Sequence, residues 1–455
     1  MFESIHRIHL IGIGGIGISA LAKLLLHQGK QLTGSDVHLS SITDDLVRRG
    51  IQVWQGHDPS AVSDAIDLVI YSPAVQETDP EYVSARKLGI PLLSYAQALG
   101  ELSKQYSTIV VTGTHGKSTT TSMLGLILEA AGYDPTVIVG SIVPSFAQGN
   151  LRVGGGRFLV VEGCEHQANM LQLHPEMIVL TSIEADHLDY YKTLANVREA
   201  FQTFVNRLSG KGLVVMNADD SVSQTLTVDG AVRYGTGSDT HYQFGGRRIE
   251  NGRQHVTVRR RVPEEELGEL SLTVPGAFNV SNALAATAAA MELGVPFETC
   301  VRALGAFPGI WRRFERLGRW NGCELISDYG HHPTAIRVTL EAARELFPGK
   351  KLILCFQPHQ HSRTQSLFNE FVEALSFADA VVLPEIYRVE GRTEDESVSS
   401  RDLAAACHLA DCHYAPDFET AERILKTLSH KYPDSVIIIQ GAGTIDELAR
   451  SLIDK

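Results

Sequence analysis

Along the first hundred positions, apolar residues fall into short runs separated by polar and glycine-rich punctuation. RIHLIGI, QLTGSD, IQVWQG, DLVIYSP and PLLSY read as strands, and Ser19 to His27 reads as a helix. Strand and helix signals in alternation predict a parallel sheet covered by helices. A second series starts at STIVVTGTHGKSTTTSMLGLILEAAG, where the run Thr108 to Val111 ends in a glycine turn and a helix begins near Lys117. RFLVVEG, MIVLTSI and GLVVMN extend that series to about residue 220.

Residues 221–275 change character. Alternation in HYQFGG, HVTVRRRV and LSLTV predicts an antiparallel excursion, with RRRVPEEEL as a solvated hairpin or loop. The alanine-rich NVSNALAATAAAMELG restores a helix that Gly294 stops. From about Phe307 onward, CELISDYG, KLILCFQP, DAVVLPEIY and SVIIIQGAG are four strands, each ending in polar or glycine residues. Ligands bind at the carboxyl ends of strands in open α/β sheets, so these four ends are expected to share one cleft. The predicted class is therefore α/β, with three units at 1–103, 104–306 and 307–455.

Composition narrows the picture. The 455 residues are 44% hydrophobic and 20% charged, as in an ordinary globular protein. No apolar run approaches the ~18 residues of a membrane span, and MFESIHRIHL enters a strand without a secretory pattern. A cytoplasmic enzyme with no membrane partner is expected. A net charge of −13 disfavours nonspecific nucleic-acid binding. Of six cysteines only Cys407 and Cys412 lie close together, which predicts reduced thiols rather than a zinc site.

Gly12, Gly14 and Gly17 follow a strand and precede a helix, fitting a pyrophosphate loop, and Asp36 lies where a ribose-binding acid belongs. Taken alone, that fingerprint also suits a nicotinamide oxidoreductase. The stronger signal is the run Gly113, Thr114, His115, Gly116, Lys117, Ser118, Thr119. Amides of a glycine turn at a helix start cradle phosphate, Lys117 neutralises its charge, and the Ser118 hydroxyl suits magnesium. Two residues rather than four separate its glycines. Glu162 ends one following strand, and SIEADHLD after the next offers Glu184, Asp186, His187 and Asp189. Of these, Glu162 and His187 are the expected metal ligands. His331, His332, His359 and His361 accompany Arg312, Arg313 and Arg363, which favours anionic substrates over zinc.

In this order, IHLIGIGGIGISALA, TGTHGKSTTTSM, SIEADHLDYY, PGAFNVSNALAA, RRFERLG, DYGHHPTAI, FQPH and GAGTI resemble the Mur ligase family across essentially the whole chain. The resemblance implies an N-terminal Rossmann-like domain for a UDP-sugar, a central P-loop ATPase-type domain, and a C-terminal Rossmann-like domain closing over both. It implies ATP and Mg2+ as cofactors, and UDP-N-acetylmuramate and L-alanine as substrates. An acyl phosphate on the lactyl carboxylate would be attacked by the amino group of L-alanine. Gly14, Gly15, Ile16, Gly17, Asp36 and Ser72 would hold the UDP-sugar. Lys117 would meet the transferring phosphate, with Ser118, Glu162 and His187 on the metal.

By the same resemblance Asn279 and Asn282 lie near adenine, Arg313 reaches the phosphates, Asp328 the ribose and His331 the reacting centre. Tyr329, His359 and Arg363 place the amino acid, and the molecule is expected to be a monomer or weak homodimer. Two departures stand out. GCEHQANML puts Cys164, Glu165 and His166 where the family pattern reads Asp-Glu-Ser, and Gln360 replaces a usual Arg, leaving Arg363 as the carboxylate anchor. Glycine or L-serine in place of L-alanine, a tripeptide-joining relative, and a nucleotide sensor without turnover are the alternatives.

Overall fold

The computed structural model describes residues 2–208, 210, 212–388 and 397–453. Its strands form three sheets. The first holds Arg7–Ile11, Gln31–Asp36, Gln52–Gln55, Leu68–Tyr71 and Leu92–Ser94, all parallel, in the spatial order third, second, first, fourth, fifth. The order reverses beside Arg7–Ile11, so the glycine loop after that strand opens on the crevice of a switch point. Ile8, Leu10, Leu21, Leu24 and Leu25 are buried between this sheet and the helix Ile16–His27, which starts three residues earlier than the apolar pattern suggests.

The second sheet has ten strands. Its parallel centre runs Val232–Gly235, Leu213–Asn217, Met177–Leu180, Ser107–Thr112, Phe158–Gly163 and Thr136–Ile138. The antiparallel excursion is an extension of this same sheet: Tyr242–Glu250, Arg253–Arg261 and Glu264–Leu272 add to its edge. Val256, Val258, Leu270 and Leu272 point inward onto Phe297 and Leu304, which explains the alternation. RRRVPEEEL is a hairpin whose arms face each other as Arg259–Glu266, Arg260–Glu265 and Arg261–Glu264. The alanine-rich helix Ala277–Glu292 ends before Gly294, which is left-handed at φ +87°. Its small residues let it lie flat beneath the sheet, and Ala283, Ala285, Ala286, Ala288, Ala289 and Ala290 are fully buried.

The third sheet contains the four expected strands, at Cys323–Asp328, Leu352–Phe356, Ala380–Pro384 and Val436–Gln440, plus Glu315–Trp320 and Cys412–Ala415. Those two lie at its edges and are only partly buried, so they lack the continuous apolar run that marks a central strand. Among the described residues no helix is long and apolar enough to cross a membrane, and all six cysteines are free thiols.

Polar ties fix the first unit to the second. Asn150 donates to the Ile16 carbonyl at 2.5 Å and to Ser19 Oγ at 2.9 Å, and accepts from Lys23 Nζ at 3.0 Å. The pyrophosphate-loop helix is thereby held against the central sheet. Inside the first unit, Glu81 is fully buried and accepts from His9 Nε2 at 3.1 Å, Ser35 Oγ at 2.5 Å and the Asp58 amide at 3.0 Å. Burial pushes its carboxyl up, but these donors outweigh burial and hold it below its usual range.

A carboxylate depressed in the fold stabilises it fully above the unfolded pKa of about 4.3, and that stabilisation is lost below it, as pH falls through the lower folded pKa. Glu81→Gln is therefore expected to cost about 1.5–3 kcal/mol at neutral pH. It should also flatten the acid limb of stability below about pH 4.3, as read by urea unfolding across pH. An acid limb unchanged from wild type would contradict this assignment.

Candidate active site

Two clefts meet at the start of the helix Lys117–Ala130. The first, of about 1080 Å³, lies between the glycine loop and the central sheet and is lined by Gly15, Ile16, Gly17, Ser72, Tyr95, Lys117, Glu162 and Cys164. No side chain caps the helix that begins at Ile16, so its first amides remain available to an anion. Gly17 is required by packing, since a Cβ there would come within 2.9 Å of the Tyr95 ring. Asp36 Oδ2 accepts the Gly14 amide at 2.8 Å, which tightens the loop.

The second cleft, of about 1070 Å³, is lined by His115, Gly116, Ser118, Thr119, Asn279, Asn282, Arg313 and Asp328. Its phosphate loop is fastened to the neighbouring strand end: the Thr114 amide donates to the Ser182 carbonyl at 2.8 Å, and the Glu184 amide to Thr114 Oγ1 at 2.8 Å. Gly116 has φ +81°, and a Cβ there would stand 2.2 Å from Asn282 Oδ1. Asn282 in turn donates to Asn279 Oδ1 at 3.2 Å, so the pair expected at adenine also packs against the phosphate loop.

Lys117 Nζ donates to the carbonyls of Gly113 at 2.5 Å and Thr114 at 3.0 Å, and pairs with Glu165 at 2.8 Å. Burial alone would lower this ammonium; the Glu165 carboxylate reverses that and raises it, so it stays charged. Ser118 Oγ donates to Glu162 Oε2 at 3.1 Å, and the Gly140 amide donates to Glu162 Oε1 at 2.5 Å. Burial nevertheless pushes the Glu162 carboxyl up. His187 Nε2 lies 3.8 Å from Glu165, its Nδ1 is buried with no hydrogen-bond partner among the described residues, and donor atoms of Glu165, Asp186 and His187 fall within 4.8 Å of one another. Ser118 with Glu162, and His187 with Glu165 and Asp186, thus make two oxygen-rich half-sites suited to Mg2+.

The C-terminal unit closes these clefts. Arg363, 8% exposed, pairs with Asp186 through Nε at 3.1 Å and Nη2 at 2.9 Å, and its Nη1 donates to the His359 carbonyl at 3.2 Å. The expected carboxylate anchor is therefore already committed to an interdomain ion pair. Arg363 holds the Asp186 carboxyl well below its ordinary range, against burial, which pushes it up. A small recess lies beside the pair, walled by Asp186, His187, Gln360 and Arg363.

Arg312 and Arg313 part company. Arg312, expected with its neighbour at anionic substrate, is buried and donates to the carbonyls of Gly441 at 2.5 Å and Gly443 at 3.1 Å, so it serves as a brace for the GAGTI loop. Its positive φ of 55° turns Arg313 the other way, into the nucleotide cleft, with its guanidinium 5.0 Å from the Tyr329 ring. Tyr329 separates the two guanidinium groups. Asp328 lines the cleft, but its oxygens already accept from the amides of Phe314 and Gly330 at 2.8 and 2.7 Å and from Gln440 Nε2 at 3.1 Å.

His331 Nδ1 faces the Tyr329 carbonyl at 3.2 Å. A carbonyl only accepts, so Nδ1 carries the proton and Nε2 is left as the basic nitrogen. Burial, with Arg363 beside it, holds His331 well below its usual range, so it is neutral. His359 stacks on Tyr387 at 5.4 Å. His332 and His361 are parts of the frame: His332 accepts the Thr334 amide at the start of the helix Pro333–Leu346, and His361 Nδ1 donates to the Val398 carbonyl at 2.8 Å.

Positive φ at His187, Arg312, Phe314 and Gln360, all non-glycine, concentrates backbone strain around this centre. Glu165 is the partner that sequence patterning passed over, because it sits three residues beyond the strand-end acid in a turn without periodicity.

A phosphate loop facing an arginine-bearing closing unit, with a second anion cradle behind it, defines a nucleotide-using, multidomain α/β enzyme. Comparison with known proteins agrees. Residues 7–107 match the model described as Mur ligase family, catalytic domain, residues 111–290 the Mur ligase middle domain, and residues 312–443 the Mur ligase, glutamate ligase domain. The chain is 38% identical to the UDP-N-acetylmuramate--L-alanine ligase of Agathobacter rectalis over 99% of its own length and 98% of that protein's. It is similarly 38% identical to the protein of that name from Desulforamulus reducens, over 99% and 97% of the two chains.

The crystal structure of UDP-N-acetylmuramate-alanine ligase MurC from Thermotoga maritima superposes with a TM-score of 0.84 at 30% identity, covering 98% of each chain. A murein peptide ligase from Psychrobacter arcticus shares the fold at a TM-score of 0.75 and 22% identity, over 99% of this chain and 98% of that one. The chain belongs to the Mur ligase family and is an ATP-dependent, amide-forming ligase.

Because Gly116 has both a left-handed backbone and a contact a Cβ would violate, Gly116→Ala should weaken ATP binding by at least about tenfold, given strain of order 1–3 kcal/mol. Isothermal titration with ATP reads this out, and wild-type affinity would contradict it.

Proposed function

We propose that the chain joins L-alanine to the lactyl carboxylate of UDP-N-acetylmuramate at the expense of ATP. One observation carries this reading. Lys117 lines the glycine-loop cleft while the adjacent Ser118 lines the nucleotide cleft, so a γ-phosphate on the loop stands at the boundary between them. A UDP-sugar on Gly14, Gly15, Ile16 and Gly17, with Asp36 and Ser72 at its nucleoside side, would present its carboxylate to that boundary.

A carboxylate is a poor electrophile. Its oxygen attacks the γ-phosphorus, ADP leaves, and the acyl phosphate gains a good leaving group. Lys117 and Arg313 neutralise the charge spread over the transferring phosphoryl oxygens. The amine of the amino acid, seated in the small cavity at Asp186, His187, Gln360 and Arg363, attacks the acyl carbon; His331 Nε2 takes the amine proton. The tetrahedral intermediate expels phosphate and leaves the amide. Mg2+, held by Ser118, Glu162 and His187, would supply charge neutralisation at the phosphates; the raised Glu162 carboxyl and unpartnered His187 Nδ1 support that assignment.

Asn279 and Asn282 would border adenine and Asp328 the ribose. Tyr329, His359 and Arg363 would frame the amino acid, with Arg363 sharing its charge between Asp186 and the substrate carboxylate. The relatives named UDP-N-acetylmuramate--L-alanine ligase, matched over nearly the whole chain, support L-alanine over a tripeptide.

ADP release with UDP-N-acetylmuramate, ATP and Mg2+ should depend on L-alanine, with glycine and L-serine weaker and the tripeptide L-alanyl-γ-D-glutamyl-meso-diaminopimelate inert. Lys117→Ala should lower kcat on the order of 10²–10³-fold. Turnover with the tripeptide alone would overturn the substrate assignment, and nucleotide binding without any phosphate release would favour a sensor.

A further inference from the structure

A second histidine–carboxylate cluster lies where the closing unit meets the phosphate loop, on the wall of the nucleotide cleft, and no step above assigns a role to its imidazoles or carboxylate. His115 comes from the loop itself, Glu184 from the turn after Met177–Leu180, and His332 from the C-terminal unit, at the head of the helix Pro333–Leu346. His115 Nε2 lies 3.5 Å and His332 Nδ1 3.7 Å from Glu184 Oε2, and the two rings are 5.3 Å apart. One donor atom from each of the three residues falls within a common 4.8 Å span.

These separations exceed the 2.7–3.2 Å or so of a good hydrogen bond. They match instead the spacing of about 3.4 Å between neighbouring ligands of one tetrahedral ion with bonds near 2.1 Å.

Glu184 Oε2 accepts from Thr334 Oγ1 at 2.8 Å, but the imidazoles of the cluster are short of partners. His115 Nε2 and His332 Nε2 are buried with no hydrogen-bond partner among the described residues, and the facing Nδ1 of His332 has only the Thr334 amide, at a long 3.3 Å. His332 is 7% exposed. Unsatisfied polar atoms at such depth call for a cause, and a metal ion is one. Burial, then His115, bring the His332 imidazole down to about 4, so it is neutral at physiological pH, as a ligand must be. Two imidazoles and one carboxylate are the donor set of a borderline transition metal and a poor one for Mg2+, which takes oxygen.

We propose that His115, Glu184 and His332 form a binding site for Zn2+ or a similar transition-metal ion that staples the closing unit to the phosphate loop, leaving one coordination position open to the nucleotide cleft. Two ligands belong to the central unit and one to the C-terminal unit, so the ion favours the closed arrangement and opposes product release. Zn2+ therefore inhibits turnover in the presence of saturating Mg2+.

The test is metal titration of the full-length, nucleotide-free protein. Co2+ should give the intense visible bands of a tetrahedral site with an imidazole–carboxylate donor set, and Zn2+ should bleach them at one equivalent and raise Tm. His332→Ala and Glu184→Gln should each weaken Zn2+ binding by at least about tenfold, and His332→Cys, which supplies another zinc ligand, should restore it. Circular dichroism and the metal-free Tm establish that each variant is folded. His187→Ala, at the Glu165–Asp186–His187 group, should leave this binding intact. Absence of saturable Zn2+ binding would overturn the proposal, as would binding that survives His332→Ala and Glu184→Gln but is lost in His187→Ala. Each measurement omits substrates, so failure here is separable from failure of the ligase assignment.

Discussion

The ion pair between Asp186 and Arg363 is the constraint on which the active centre depends. Both side chains are about nine-tenths buried, and their contact ties the central unit to the closing unit, beside the Thr334–Glu184 and Arg247–Glu345 contacts and the packing of Phe278 against the C-terminal core. Burying two charges is costly, and the pair offsets that cost only while the geometry holds; removing one partner of such a pair typically costs about 3–5 kcal/mol. Asp186 sits next to His187, and Arg363 three residues from Gln360, so the same contact brings together the central and closing walls of the small recess between them. An arginine serving this purpose has less charge to spare for a substrate carboxylate, which is why the Gln360 departure matters for how the amino acid is held.

Most of the architecture was legible in the sequence because parallel strands buried on both faces carry apolar runs that nothing else mimics. RFLVVEG, MIVLTSI, KLILCFQP and SVIIIQGAG each became a central strand. The elements that escaped are edge strands such as Glu315–Trp320 and Cys412–Ala415, which are mostly only partly buried or exposed, so the apolar signal dissolves. The antiparallel strands after residue 240 were visible as alternation, yet their merger into the central sheet is a tertiary fact no local pattern carries. In the site, residues attached to a motif were findable: Lys117, Ser118 and His187 stand where strand–turn–helix logic puts them. What the motif could not assign was division of labour. Nothing local distinguishes Arg312 from Arg313, and only the left-handed backbone at Arg312 sends one to brace a loop and the other to the nucleotide.

Charged groups around the phosphate loop are arranged as a relay of compensation. Glu165 keeps Lys117 protonated despite burial, while Glu162, with neutral hydrogen-bond donors around it, is left with a carboxyl that burial pushes up. One acid pairs directly with Lys117; the other feels Lys117 and Arg313 only at longer range.

The hairpin Arg253–Leu272 bears on the molecule's life in a crowded solution. A ten-stranded sheet must end somewhere, and Glu264–Leu272 is one of its two open edges. An unpaired edge is a template for another chain's strand. Here the outer half of that edge is occupied by Glu264, Glu265 and Glu266, each already matched to an arginine on the inner neighbour. A foreign strand seeking to pair would have to strip water from three carboxylates and gain no counter-charge. The ladder adds little to the fold's stability, but it guards the protein against misassembly.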